Sequence, residues 1–301
     1  MWYAHELQAV GRLLGDTVES PSLEFGCLDG VNTFLLLGGE FDFAFDLYKN
    51  VNVRPDHLAT THDYFDAADV LPGAADLQVR PANGFDYALD YKATHLRKAA
   101  ALGLYKQTIL QGLDDPVSSL EAESLATIWA PMLFWVERTR ITTVLRDFHR
   151  VLRTGGRIVT MLPDACIGAH LIQARGAVAG ADDAWIREID VGKHANFTRN
   201  SRSFQEWEDV FGQAGLVVTS HARFAPPLIV RIYDIGFRPM FPVFMKMYDA
   251  LRQCSSAALL DVKRHWVETC GHFLKPLCED SAADSALSEM TWHVFELRRR
   301  P

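Results

Sequence analysis

The chain has 301 residues, 49% of them hydrophobic, with 18 Phe and 7 Trp. That composition excludes a disordered chain and suffices for one large α/β core. A formal net charge of −8 opposes a general nucleic-acid binder, which carries a basic face or stripe, and points to a small-molecule partner. The five cysteines form no C-x-x-C pair, which fits reduced thiols in a cytoplasm better than a disulfide framework. With no basic leader and no stretch apolar enough to cross a bilayer, no membrane partner is expected.

In chain order, Trp2–Leu14 has apolar residues near helical spacing and reads as an amphipathic helix, carrying Tyr3 and His5, ahead of the first strand. Pro21–Asn32 then reads as a short buried strand, a glycine turn and the first turn of a helix. In α/β proteins this junction binds nucleotide-like ligands, because it sets free backbone N–H groups beside a chain reversal. A dinucleotide site needs a middle glycine to admit the pyrophosphate. Leu28 stands in that place and no Gly-Lys-Ser/Thr follows, so a nucleoside without phosphates remains. Val31–Leu37 continues as helix up to Gly38-Gly39. Glu40–Asp46, with Phe41, Phe43 and Phe45 alternating, predicts a strand. Beyond it the pattern dissolves, and residues 38–84 read as an insertion.

The turn residues Glu24-Phe25-Gly26-Cys27-Leu28-Asp29-Gly30 resemble the first motif of the class I S-adenosylmethionine-dependent methyltransferases, an acidic residue, any residue, then Gly-x-Gly-x-Gly, with two of the three glycines. A second stretch, Val144 to Val159 with Arg150-Val151-Leu152-Arg153-Thr154-Gly155-Gly156, is similar to the family's helix that ends in a glycine pair before the fifth strand. The resemblance implies S-adenosylmethionine as cofactor and a single domain over residues 1–301. It also implies a doubly wound α/β fold with a seven-stranded Rossmann-like sheet, to which this chain's own pattern adds an insertion after the first helix and, at residues 222–290 where the family often has a short hairpin, a helical cap before the last strand. Glu24, Gly26, Cys27, Leu28 and Gly30 are expected to hold the donor.

Phe85–Leu89 predicts the second strand, ended by Asp90 and followed by a helix over Lys92–Leu102. In the resembled family an acid at this place, here Asp90 with Tyr91 beside it, accepts the ribose hydroxyls, as a carboxylate can do bidentately. Asp46 is a rival at 20 positions after Gly26, but no helical period follows it. Thr108–Leu110 predicts the third strand; in the resembled family an aspartate after it holds the adenine amino group, for which Asp114 or Asp115 is the candidate, unless they serve only as helix caps. The fourth strand, Leu125–Ile128, runs into Trp129 and Ala130, both candidates for the donor site. Trp129 and Trp135 offer aromatic faces to a sulfonium, or are core residues. Ser203 with Glu206 three positions on predicts a capped helix to Ala214, Leu216–Thr219 strand six, and Trp292–Leu297 strand seven.

Methyl transfer from a sulfonium is an in-line displacement that can proceed by positioning alone. No acid/base group is singled out by spacing; Tyr3, His5, His194 and Tyr233 are the candidates, and Trp129 and Trp135 are candidate catalytic residues through their faces toward the sulfonium. No metal-site spacing is found. The expected activity is methyl transfer to a small-molecule acceptor, in secondary metabolism or cell-surface sugar modification. A cyclase that consumes the donor's aminocarboxypropyl group and releases methylthioadenosine is the alternative, and a non-catalytic binding module is a third reading.

Overall fold

Every residue of Ser22–Phe25 and of Leu125–Ala130 is buried, the pattern of parallel strands covered on both faces. The computed structural model, which describes residues 2–15, 17–45, 71–171, 191–237, 240–284 and 290–300, places these two runs at the centre of a sheet. In chain order the elements are α1 (Trp2–Leu14), β1 (Ser22–Phe25), α2 (Val31–Leu36), β2 (Glu40–Phe41), β3 (Leu77–Val79), β4 (Phe85–Asp90), α3 (Ala93–Ala101), β5 (Tyr105–Leu110) and β6 (Leu125–Ala130). Then follow α4 (Ile141–Val151), β7 (Leu152–Pro163), α5 (Val191–Arg199), α6 (Phe204–Gln213), β8 (Leu216–Phe224), α7 (Pro227–Arg231), α8 (Phe241–Cys254), α9 (Ser256–Asp284) and β9 (Trp292–Arg299).

The seven-stranded sheet runs β5-β4-β1-β6-β7-β9-β8. Strands β5, β4, β1, β6 and β7 are parallel, and β9 is antiparallel to both β7 and β8. From β1 the chain winds outward through β4 to β5, then returns to the other side of β1 at β6. The reversal leaves a crevice beyond the carboxyl ends of β1 and β6, where open α/β sheets bind ligands.

Local chemistry explains the element ends. Helix α4 buries Ile141, Val144, Leu145, Phe148 and Val151 as one stripe, and Gly155 at φ +79° lets the chain turn back as a bulge at the start of β7, where Leu152 pairs with Leu125 but Arg157 with Thr127. Ahead of α6, the Ser203 hydroxyl accepts the Glu206 N–H while the Glu206 carboxylate accepts the Ser203 N–H at 2.8 Å. Ser203→Ala is expected to cost about 1 kcal/mol and to lower the melting temperature by roughly 2–4 °C in a calorimetric scan.

Three expectations need correction. The strand predicted over Glu40–Asp46 pairs only at Glu40–Phe41, against β3. Its phenylalanines do not alternate across a sheet: the Phe41 ring lies 4.8 Å from Phe34 and 5.1 Å from Phe45, while Phe43 sits beneath the Lys263 ammonium at 4.9 Å. Asp46 itself lies outside the described residues. Strand six continues through Phe224, so residues 222–224 belong to the sheet, and the following helices begin only at Pro227, in the N1 place that suits proline. Strand three starts at Tyr105, earlier than the Thr108 predicted.

Between β8 and β9, α7 leads through a π-helical turn, Ile232–Phe237, to α8 and α9. Lys263 on α9 donates to the carbonyl oxygens of Phe43 and Phe45 at 2.5 and 2.9 Å. No helix among the described residues is long and apolar enough to cross a membrane.

Candidate functional site

At the end of β1 the chain turns sharply: Gly26 has φ +77° and the N–H groups of Gly26 and Cys27 both donate to the Leu89 carbonyl, at 2.8 and 3.1 Å. Only glycine fits here. A Cβ would stand 2.3 Å from the Met132 Cβ, on top of adopting a left-handed conformation that costs L-residues about 1–2 kcal/mol. Leu28 takes that conformation as well, at φ +51°, and Gly30 N–H closes the turn on the Cys27 carbonyl at 2.9 Å.

Asp90 is fully buried and fixes this turn. Its Oδ2 accepts the Leu28 N–H at 3.0 Å, and its Oδ1 accepts the Lys92 N–H at 3.0 Å and lies 2.9 Å from His95 Nδ1.

Glu24, 1% exposed, sits one step before the turn. Thr33 Oγ1 donates to its Oε1 and Tyr105 OH to its Oε2, both at 2.7 Å, and Trp129 Nε1 donates to Thr33 Oγ1 at 3.3 Å. Burial pushes the Glu24 carboxyl up to about 8, against the pull of the two hydroxyls, so it is largely neutral at pH 7. Burial and the nearby Glu24 drive the Cys27 thiol well above its usual range, which makes it a poor nucleophile. Burial also raises Asp29, whose Oδ1 accepts the Val31 N–H at 3.1 Å.

Beyond the turn, at the carboxyl ends of β1 and β6, lies a cavity of about 200 Å3. Of the residues the sequence singled out, Glu24, Gly26, Cys27, Leu28, Trp129, Trp135 and Tyr233 line it. Gly30, Asp90, Tyr91, Asp114, Ala130, His5 and His194 are not in its wall. Tyr91 is 41% exposed at the end of β4. Asp114 is engaged elsewhere, its Oδ1 accepting the Glu137 N–H at 2.7 Å. His5 is buried on α1, its pKa lowered by that burial, and His194 lies part-buried on α5. The Tyr3 side chain falls outside the description.

The sequence reading missed Glu6, Leu7 and Val10 of α1, Thr33 of α2, Met132, and the ring pair Phe197 and Trp292, all of which line the cavity. The three α1 residues share one helix face at i, i+1, i+4 spacing, and that periodicity was the one signal available. Among the described residues no three His, Cys, Asp or Glu side chains are grouped so as to hold a metal ion.

No protein-family model matches the chain, and no curated protein does. Solved structures do. A S-adenosylmethionine-dependent methyltransferase from Mesorhizobium loti is 13% identical, with a TM-score of 0.50 over 98% of this chain and 98% of that one. The geranyl diphosphate C-methyltransferase of Streptomyces coelicolor A3(2), solved with Mg2+, geranyl diphosphate and S-adenosyl-L-homocysteine, is 11% identical, with a TM-score of 0.45 over 98% of this chain and 79% of that one. At such identities the likeness is one of architecture. By its strand order, its antiparallel last strand and its overlay on the Mesorhizobium loti protein, the chain has the Rossmann-like fold of the class I S-adenosylmethionine-dependent methyltransferases.

Proposed function

We propose that the chain is a methyltransferase that takes S-adenosylmethionine as donor and methylates a small-molecule acceptor. The observation that carries this reading is the position of the cavity. It lies at the switch point between β1 and β6, with the Gly26–Asp29 turn as one wall and α1 as another. The bound donor supplies an electrophilic methyl group on a sulfonium. The chain's own part is positioning and the exclusion of water. Bare backbone at Gly26 admits close approach, Leu7 and Val10 of α1 close the cavity from above, and Trp129 and Trp135 give aromatic faces worth about 0.5–2 kcal/mol each to a cation. A space of about 200 Å3 is smaller than the roughly 300–1,000 Å3 of ordinary ligand sites. It suits the reacting ends of donor and acceptor, with the nucleoside lying outward past Leu28. Asp90 then acts through the turn it holds.

The test is to incubate the purified chain with methyl-labelled S-adenosylmethionine, alone and with a mixture of small metabolites, and to identify the nucleoside product by mass spectrometry. S-adenosylhomocysteine formed only in the presence of the mixture is the expected result. Methylthioadenosine formed from the donor alone overturns the reading in favour of a cyclase, and binding without either product in favour of a non-catalytic module. Calorimetric heat from a dinucleotide but none from S-adenosylhomocysteine overturns all three.

A further inference from the structure

Resting on that methyl-transfer reading, we propose that the acceptor is a small amine, drawn by carboxylates into an aromatic box. Three acidic side chains, Glu6, Glu24 and Asp29, contribute to the cavity wall, and among the described residues lining it there is no Lys, Arg or His. Glu6 and Glu24 are 5% and 1% exposed, so a ligand meets them away from water. An anionic acceptor would find no Lys, Arg or His among the described lining residues to pair with and would have the donor's sulfonium as its one counter-charge. A cationic one exchanges its water for the oxygens of Glu6 and Asp29, Glu24 being largely neutral, and the chain's net charge of −8 steers cations toward the protein as a whole.

Another part of the cavity wall is built from rings. Phe134, Phe197 and Trp292 pack edge to face, with centroids 5.1, 5.4 and 5.9 Å apart and interplanar angles of 87°, 89° and 67°. Trp135 joins Phe134 at 6.2 Å, and Tyr233 completes the wall. Such interlocked rings are held in place before a ligand arrives. Aromatic faces attract ammonium groups and have no comparable attraction for carboxylates or phosphates.

The chemistry agrees. An ammonium gives up its proton far more readily than a hydroxyl or a carbon acid, so a carboxylate is base enough for it, and among the described residues lining the cavity there are acids but no histidine or lysine. The ammonium drawn in by charge first hands one N–H proton to a carboxylate of the wall or to water, which frees its lone pair. Its nitrogen lone pair forms the new N–C bond to the methyl carbon, the C–S bond breaks with its electron pair going to sulfur, and the thioether leaves. The product ammonium then releases its proton to a carboxylate of the wall or to water.

An isosteric series separates the possibilities: benzylamine, benzyl alcohol and benzoate, titrated calorimetrically into the full chain saturated with S-adenosylhomocysteine at pH 7.5, then assayed with labelled donor. Benzylamine is expected to bind at least tenfold tighter than benzyl alcohol and to be the one that accepts label, with benzoate weakest. Glu6→Gln is expected to weaken benzylamine about tenfold, with retained S-adenosylhomocysteine binding reporting a folded variant. Trp135→Ala, read the same way, gives a second decrease should Glu6→Gln not fold. Benzoate or benzyl alcohol binding as tightly as benzylamine, or no binding by any of the three while S-adenosylhomocysteine binds, overturns the amine assignment and leaves methyl transfer standing. Absence of S-adenosylhomocysteine binding overturns both.

Discussion

Glu24→Gln is expected to make the protein more stable than the parent at pH 9 and nearly equal to it at pH 5. Burial holds the folded-state carboxyl at about 8, against a model value of 4.5. A carboxyl whose pKa is raised by folding contributes stability that is full below the unfolded value and is lost as pH climbs through the folded one. The parent therefore loses stability between about pH 4.5 and 8, in total on the order of 5 kcal/mol, because above that range it must either keep a buried anion or unfold. Glutamine keeps the shape and can still accept from Thr33, but it has no proton to lose. The measurement is denaturant unfolding of both proteins across pH 5 to 9. Taking their difference cancels the titration of every other group, and parallel curves would show that Glu24 is not the group responsible.

Gly26→Ala is the second large effect. The position combines φ +77° with a would-be Cβ 2.3 Å from Met132 Cβ and 3.5 Å from Met132 Cα. Those atoms are fixed to the backbone, so no rotamer change relieves the contact. The left-handed conformation costs about 1–2 kcal/mol and the overpacking about 1–3 kcal/mol more, so a loss of about 3–4 kcal/mol is expected, along with loss of ligand binding. Gly38→Ala is the control. It shares the left-handed backbone at φ +83° but has nothing within 4 Å of its Cβ, so about 1–2 kcal/mol is the whole penalty there. Equal losses in the two variants would mean that the turn and Met132 do not approach as described.

How far the sequence could be read depended on whether a feature was local. The glycine turn, the capped helix at Ser203 and the Gly155-Gly156 reversal each declare themselves within a few residues, and all three stand where expected. The aromatic wall could not be seen that way. Phe134, Phe197 and Trp292 come from three distant stretches, and in the linear pattern Trp292 is only the first apolar residue of a strand. Glu6 was hidden for another reason. A charged residue next to apolar Leu7 and one turn before Val10 looks like the solvent side of an amphipathic helix, yet it is buried. For Asp90 the position was legible and the direction was not, since strand, acid and helix predict a carboxylate at the strand's end without saying whether it points to a ligand or to the neighbouring backbone. The run of phenylalanines after Gly39 misled because stacking of side chains on each other mimics the alternation of a sheet.

Asp90's grip on the Leu28 N–H has a thermodynamic consequence. A leucine held left-handed would relax if released, and a released turn would gain conformational freedom, so a visitor to a slack loop would spend part of its attraction on freezing backbone. Here that freezing has happened during folding, at the expense of the protein's own stability. Molecules that reach this crevice therefore meet a stiff rim, and discrimination among them is governed by fit and charge rather than by how well each can organise the chain.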